Sequence, residues 1–438
     1  MLNYYFRLAL VSFRRDWRLT LLMVAAIALG VAMTMTAYTV LYVMSRDPIP
    51  EKSRQLFNVQ IDNGGPRSRN PGDHEPPTQL SYRDATALLN ARAARRQVAM
   101  HEVPLSVVPA DPRLSRFPTY GRAVSADFFA MFDVPMLYGH GWEESDDANL
   151  NPVVVLTKKL NRRLFAGMNS VGRSLKLGDD IYRVIGVTDS WDPKPRFYDV
   201  IGGQSFDDGE DIYLPLSVTI AHKMYTSEYV QCYAGSSGTT LADLMRSECV
   251  WLQFWVELPQ ARDVARYRQF LDNYSRDQQR SGRFTWPPND RLRNVGEWLV
   301  AQKVVPDDAR ISVIVAFGFF VVCLVSALSL MLAKEFGRAP RLGMRRALGA
   351  SRRDVFAQVV VESGIVGLVG GACGLGLAIV SLWVIRVLFP AGMSRIAQMD
   401  GVLVVVTIVF AIAATLVAGI YPAWVSMRVP PALQIKGG

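Results

Sequence analysis

Four long apolar runs constrain this chain more than anything else in it. Residues 19–43 (LTLLMVAAIALGVAMTMTAYTVLYV) and 311–333 (ISVIVAFGFFVVCLVSALSLMLA) hold no charged residue, and neither does 402–425 (VLVVVTIVFAIAATLVAGIYPAWV). Residues 363–389 hold only Arg386, near their end. Each run is long enough to cross about 30 Å of hydrocarbon as a helix. None keeps the polar face that a helix on a soluble core would show. The average composition, 50% hydrophobic and 20% charged over 438 residues, would fit a soluble protein too. The concentration of apolar residues decides the class, and four transmembrane helices are expected.

Basic residues flank these runs on one side. Residues 334–363 read KEFGRAPRLGMRRALGASRRDVFAQVVVES, in which Lys334, Arg338, Arg341, Arg345, Arg346, Arg352 and Arg353 face only Glu335, Asp354 and Glu362. Short loops beside spans carry such an excess on the cytoplasmic side. Arg14, Arg15 and Arg18 place the N-terminus inside by the same rule, and Arg428 and Lys436 place the C-terminus inside. Residues 390–401 are short and nearly neutral, as an outer loop should be, so 44–310 is expected outside. The first run is too long for a signal-peptide core and has no small-residue cleavage site after it, which reads as a retained anchor. Topology explains much of the net charge of +9, and no aromatic–basic nucleic-acid module is present.

Residues 44–310 read as mixed α+β. Residues 62–77 (DNGGPRSRNPGDHEPP) form a Gly/Pro-rich loop. The stretch 81–96 starts on a Ser cap with Ala and Leu at helical spacing. LFNVQI (56–61), PLSVVP (104–109), TYGRAV (119–124), PVVVLT (152–157), IYLPL (212–216) and VWLQFWVEL (250–258) are expected strands. SLKLGDDIYRVIGV (174–187) alternates about Gly178-Asp179-Asp180 as a hairpin. KKLNRRLF (158–165) and ARDVARYRQFLDNYSRDQQ (261–279) are expected helices.

GRAVSADFFAMFDVPMLYGHGW (121–142), PVVVLTKKLNRRLF (152–165) and SVGRSLKLGDDIYRVIGV (170–187) together resemble the periplasmic core domain of MacB-type ABC transporter permeases. RRALGASRRDVFAQVVVES with GLVGGACGLGLA resembles the FtsX-like permease domain of the same superfamily, and IYPAWVSMRVPPALQI resembles that domain's end. The resemblance implies an α-helical membrane protein of four spans with a large α+β periplasmic domain between spans one and two. Its layout would be an interfacial helix (1–18), span one (19–43), a MacB-like core (44–310) and span two (311–333). A cytoplasmic coupling segment (334–357), span three (358–389), an outer loop (390–401), span four (402–427) and a cytoplasmic tail (428–438) would follow. It implies a bacterial inner-membrane permease that couples ATP hydrolysis to periplasmic movement driving export or efflux, working as a homo- or heterodimer. A periplasmic adaptor and an outer-membrane channel are the further partners implied. No G-x-x-x-x-G-K-[ST] occurs in the sequence, so the resemblance places the ATPase on a separate subunit. An FtsX-like signalling subunit controlling a cell-wall hydrolase or sensor is the alternative, against which the length of the outer segment argues. Residues 191–250 fit the family pattern poorly.

Arg341, Arg345, Arg346, Leu348, Gly349, Ala350, Ser351, Arg352, Arg353 and Asp354 are the expected ATPase-coupling residues, Gly349 ending one helix and Ser351 capping the next. The same arginines would also hold anionic lipid headgroups. Gly367, Gly370, Gly371 and Gly374 form small-xxx-small pairs that let helices approach closely, either within one subunit or across a dimer. Glu362, near the inner end of span three, is expected to pair with adjacent arginines. Cys323 and Cys373 read as apolar fillers, whereas Cys232 and Cys249 are a candidate disulfide. His74, His101, His140 and His222 are scattered without metal-ligand spacing, and Asp146-Asp147, Asp179-Asp180 and Asp207-Asp208 sit in turn-like contexts. With no G-x-S-x-G elbow either, the chain is expected to be non-catalytic and to carry no cofactor or metal.

Overall fold

The strand-forming runs between residues 56 and 294 build one 11-stranded sheet in the computed structural model of this chain. The structure describes residues 15–65, 68, 74–201, 205–233, 240–337, 351–388 and 401–428. The strands are β1 (Leu56–Gln60), β2 (Leu80–Ser81), β3 (Arg96–Val108), β4 (Phe117–Val124), β5 (Met136–Gly139), β6 (Val153–Thr157), β7 (Ser174–Leu177), β8 (Asp180–Thr188), β9 (Ile212–Pro215), β10 (Val250–Glu257) and β11 (Arg291–Asn294). Their order is β11-β1-β10-β3-β4-β9-β6-β8-β5, with β2 beside β10 and β7 beside β3 and β8. The β4–β9 and β6–β8 pairs are parallel, which requires crossovers through the rest of the chain.

Alternate residues of these strands enter two separate cores. Ala99, Val103, Val154, Leu156, Phe254 and Val256 join one cluster, while Val98, Met100, Val153, Val155 and Trp255 join another. Helices Tyr82–Ala91, Lys158–Phe165 and Ala261–Arg280 contribute Leu88, Leu160 and Leu271 to the first. Phe128 and Phe132, with Trp298 of helix Val295–Ala301, fill the second. Because both faces are covered, β6 and β10 are buried at nearly every position rather than every other one, the pattern of strands enclosed on both sides.

Two local expectations change. The helix beginning at Ser81 ends at Ala91, with Arg92 in the left-handed conformation (φ 47°), and Arg96 already starts β3. That strand runs back from the expected 104–109 because residues 96–100 pair with β10, a partner about 150 residues distant that no local pattern encodes. The 174–187 hairpin turns at Gly178 (φ 61°), a conformation that glycine adopts without strain.

Residues Arg46–Val304 form one compact unit, and Met1–Ser45 with Val305–Gly438 form the other. In the second unit, helices Trp17–Met44, Asp307–Gly337 and Arg353–Ile385 within Arg352–Leu388 are long and apolar enough to cross a membrane. A further helix, Gly401–Arg428, carries a shorter apolar stretch at Ile408–Tyr421. The helices outrun their apolar runs: Asp307–Gly337 extends 311–333 at both ends, and Arg352–Leu388 begins inside the expected coupling segment. Met23, Ile27, Val31, Phe320, Met331, Val359, Val366, Ala378 and Ala411 make their shared core.

Candidate functional site

Arg341, Arg345, Arg346, Leu348, Gly349 and Ala350 lie outside the described residues, and so does the interfacial stretch 1–14. The described part of the basic segment is its last turn. Ser351 accepts the Asp354 backbone N–H at 3.3 Å, and Asp354 Oδ2 accepts the Ser351 backbone N–H at 2.9 Å and its hydroxyl at 2.6 Å. This reciprocal box satisfies donors that the first turn leaves free. It sets the start of the helix at Arg352, and Arg353 stands exposed on that turn.

The glycines of this helix are contact points inside the unit. A methyl group on Gly370 would lie 2.8 Å from Ile27 Cγ2, and one on Gly374 would lie 2.8 Å from the Ala28 carbonyl, both on Trp17–Met44. One on Gly371 would lie 2.8 Å from Ala411 Cβ, and one on Gly367 would collide with Thr415, both on Gly401–Arg428. The residues thus serve two different neighbours from two sides of one helix. Nothing but hydrogen fits there, and close approach is what associates helices in lipid.

Polar side chains gather at one level of this bundle. Lys334 Nζ is ion-paired with Glu362 Oε1 and donates to Thr20 Oγ1 at 3.2 Å. The Ser363 hydroxyl donates to the Val359 carbonyl at 2.9 Å and to Met331 Sδ at 3.4 Å. The described ionic partner of Glu362 is therefore Lys334, 28 residues back on another helix. Arg352 and Arg353, the described arginines preceding it on its own helix, lie about ten residues back, roughly 15 Å along the axis.

In the other unit a second charged group is enclosed by protein. The Arg122 side chain on β4 is wholly buried, with Nε on Glu210, Nη2 on Asp199 and Nη1 on Glu228 at 3.3 Å. Arg196 reaches Asp199 at 2.6 Å and Glu210 at 3.6 Å. Gln253 donates to Asp199 and Glu228, each at 3.3 Å, and the Glu102 backbone N–H donates to Glu228 at 3.1 Å. Burial would raise the Glu210 carboxyl, but the guanidinium groups of Arg122 and Arg196 outweigh it and hold it down at about 2. Glu228 is pushed up to about 8 by burial and by the neighbouring Asp199 charge, and burial raises Glu102 as well. Two guanidinium groups thus face Glu210, which they hold ionised, and Glu228, which favours the proton.

Asp199, Glu210 and Glu228 all come from 191–250, the stretch with the weakest sequence pattern, and they fasten it to β3, β4 and β10. Cys232 is joined to Cys249 beside them, closing a loop over 17 positions. The sequence pattern does not mark Arg122 as buried, since burial of an arginine is visible only once its carboxylates converge. Such an enclosed cluster offers no open nucleophile or base to a substrate. Among the described residues, no group of three or more His, Cys, Asp or Glu is placed to hold a metal ion.

Comparison with known proteins matches residues 20–274 to the family described as the MacB-like periplasmic core domain, and residues 313–431 to the FtsX-like permease C-terminal family. The chain is similar to the macrolide export ATP-binding/permease protein MacB of Syntrophobacter fumaroxidans, 24% identical over 346 residues, covering 70% of this chain and 46% of that protein. It is 23% identical over 255 residues to the protein of the same name from Vibrio parahaemolyticus, covering 58% of this chain and 34% of that one. The chain therefore spans less than half the length of either relative. The crystal structure of the periplasmic region of MacB from Actinobacillus actinomycetemcomitans aligns with 59% of this chain and 96% of its own, at 14% identity and a TM-score of 0.37. That likeness is too weak to bear on the fold.

Proposed function

We infer the function of this chain from its family, since it belongs to the MacB/FtsX-type ABC transporter permeases. We propose that it is the membrane subunit of an ABC exporter, crossing the inner membrane four times with both termini in the cytoplasm. Residues 44–310 would lie in the periplasm and move when a separate ATPase subunit closes on its nucleotide. A second permease copy or a related permease would complete the dimer, and a periplasmic adaptor and an outer-membrane channel would receive what is expelled.

The observation that carries this reading is the basic segment from Lys334 to Arg353. It joins two apolar helices inside the matched FtsX-like region, and a Ser351–Asp354 box starts the second of them. Seven cations stand against Glu335 in those roughly 20 residues, a bias that fits the cytoplasmic side and a surface that meets a partner there. A rigid helix start just beyond them suits a surface that takes force from a partner. The residues proposed to meet the ATPase are Arg341, Arg345, Arg346, Leu348, Gly349, Ala350, Ser351, Arg352, Arg353 and Asp354. ATP itself would be held by the partner.

The test is reversal of Arg345, Arg346, Arg352 and Arg353 to glutamate in the complex reconstituted in lipid. The expected result is loss of ATPase stimulation with the chain still inserted and folded. Full stimulation in that variant would sink the coupling assignment. Mild-detergent capture from the native membrane, read by mass spectrometry, is expected to bring down an ATPase with an adaptor. An ATPase with a cell-wall hydrolase or sensor in its place would move the reading to signalling.

A further inference from the structure

The two helices that flank the basic segment do not run along each other. Asp307–Gly337 and Arg352–Leu388 each pack on Trp17–Met44 and on Gly401–Arg428, so they stand diagonally across the bundle. Side chains bridge the diagonal at one level, where Lys334 meets Glu362 and Ser363 meets Met331. Lys334 and Glu362 are 3% and 1% exposed. Lys334 also donates to Thr20, so three helices share the pair. A cavity of about 20 Å³, lined by Met331, Lys334, Glu362, Ser363, Thr415 and Gly419 among others, adjoins it. The rest of its lining is apolar, Met23, Ile27, Leu324 and Val366 among it, so it is the kind of cavity that stays dry.

Stability alone is a poor reason for this pair. A buried ion pair is often no better than well-packed apolar side chains of the same volume, whereas removal of one partner is strongly destabilising. Charges within membrane helices are rare and mark function. What the pair supplies that apolar contact does not is a directional link of fixed length between helices that otherwise scarcely touch. Its register fits such a role. Lys334 stands three residues before the helix end at Gly337, and Glu362 ten residues after the start at Arg352. An arm of about 15 Å therefore runs from the pair to the basic segment, and Val355 and Val359 keep its inner face buried.

We propose that Lys334 and Glu362 form a strut across the membrane bundle that fixes the spacing of the two ends of the basic segment. A displacement of that segment then moves both helices together. The strut is a property of the bundle, and its use in coupling rests on the function proposed above. In that use Lys334 and Glu362 are positioning residues, since they act through the segment rather than on a nucleotide or substrate.

Two measurements on the full chain in lipid nanodiscs test this. In a background carrying Cys323→Ala and Cys373→Ala, spin labels on Phe336→Cys and Arg353→Cys are expected to give one narrow distance distribution. Lys334→Met and Glu362→Gln should each broaden it, and the swap Lys334→Glu with Glu362→Lys should narrow it again. Unchanged distributions in both single variants would overturn the strut, whatever the fate of the coupling reading. In the ATPase complex, both single variants should keep the ATPase bound but lose about tenfold in stimulation, recovered by the swap. Full stimulation beside broadened distances would overturn the use of the strut in coupling. Failure of the parent chain to bind any ATPase would sink the coupling reading, and the distances alone would then judge the strut.

Discussion

In the membrane unit, large side chains such as Leu21, Ile314, Val322, Val380 and Trp383 face outward, and alanines, glycines and methionines share the interior with Ile27, Val31, Phe320 and Val359. In the unit of residues 46–304 the arrangement is reversed, with Trp251, Trp255, Trp298 and many valines enclosed. Each unit nevertheless buries charge. The helices bury the described pair Lys334–Glu362, whereas the sheet unit buries Arg122 and Arg196 with Asp199, Glu210 and Glu228. The difference lies in what else holds the structure. Helices with satisfied backbones need only small-residue contacts to associate in lipid, so one ion pair can serve as a link. Within residues 191–250, β9 pairs with β4 and β6, and the charge cluster together with a disulfide adds to those ladder hydrogen bonds in fixing the described residues around it.

The largest effect expected from that contrast is at Arg122. Arg122→Leu leaves Asp199, Glu210 and Glu228 without their central cation, and about 3–5 kcal/mol of stability should be lost. A thermal melt of the purified full chain would read it, and a melt like the parent's would mean that the cluster is not what fastens 191–250. Next comes the Cys232–Cys249 bridge. Cys232→Ser with Cys249→Ser should cost about 3 kcal/mol for a loop of this size, seen as faster proteolysis within 191–250 while the membrane helices stay protected.

In the bundle, Gly370→Val should cost about 1–3 kcal/mol by forcing the Ile27 contact apart. Gly376→Ala, with nothing within 4 Å of the added methyl, should be nearly silent. Equal behaviour of the two in detergent melts would show that close approach does not hold these helices.

A smaller effect concerns pH. The Glu228 carboxyl sits at about 8 when folded, above its ordinary 4.5, so the folded form holds more protons than the unfolded one between those values. Stability from this group is full below about pH 4.5 and is lost as pH rises toward 8. Glu228→Gln should flatten that slope and stabilise the protein at pH 8 by about 1–3 kcal/mol. Denaturant midpoints at pH 5 and 8 would check this, and a parallel slope in the variant would refute it. Glu210 has the opposite sign, its contribution present above about 4.5 and lost as pH falls toward about 2. The smallest effect belongs to Arg113, whose exposed pair with Asp111 is screened by water, so Arg113→Ala should leave the melt where the parent's lies.

Much of this was legible in the residues themselves. Helix Lys158–Phe165 stands where KKLNRRLF predicts it, with Thr157 as its cap, because a capping hydroxyl and apolar residues at helical spacing act within a few residues. The hairpin at Gly178 is equally local. The run back of β3 to Arg96 was not legible, since it depends on β10. Nor was the Lys334–Glu362 pair, whose members sit on separate helices. The sequence pointed Glu362 toward arginines near it in the chain, and the bundle also presents it with a lysine from across the diagonal.

Alone, the sequence determined which stretches form long apolar helices, several strands and caps of the segment between them, and the family to which the chain belongs. These follow from composition and spacing over short windows, where each residue's preference is expressed against solvent or lipid. Only the tertiary structure decided which buried charges meet, which glycines touch which helix, and how residues 191–250 are held. Those outcomes depend on contacts between residues far apart in the chain, whose free energy exists only after the backbone has brought them together and taken their charges out of water.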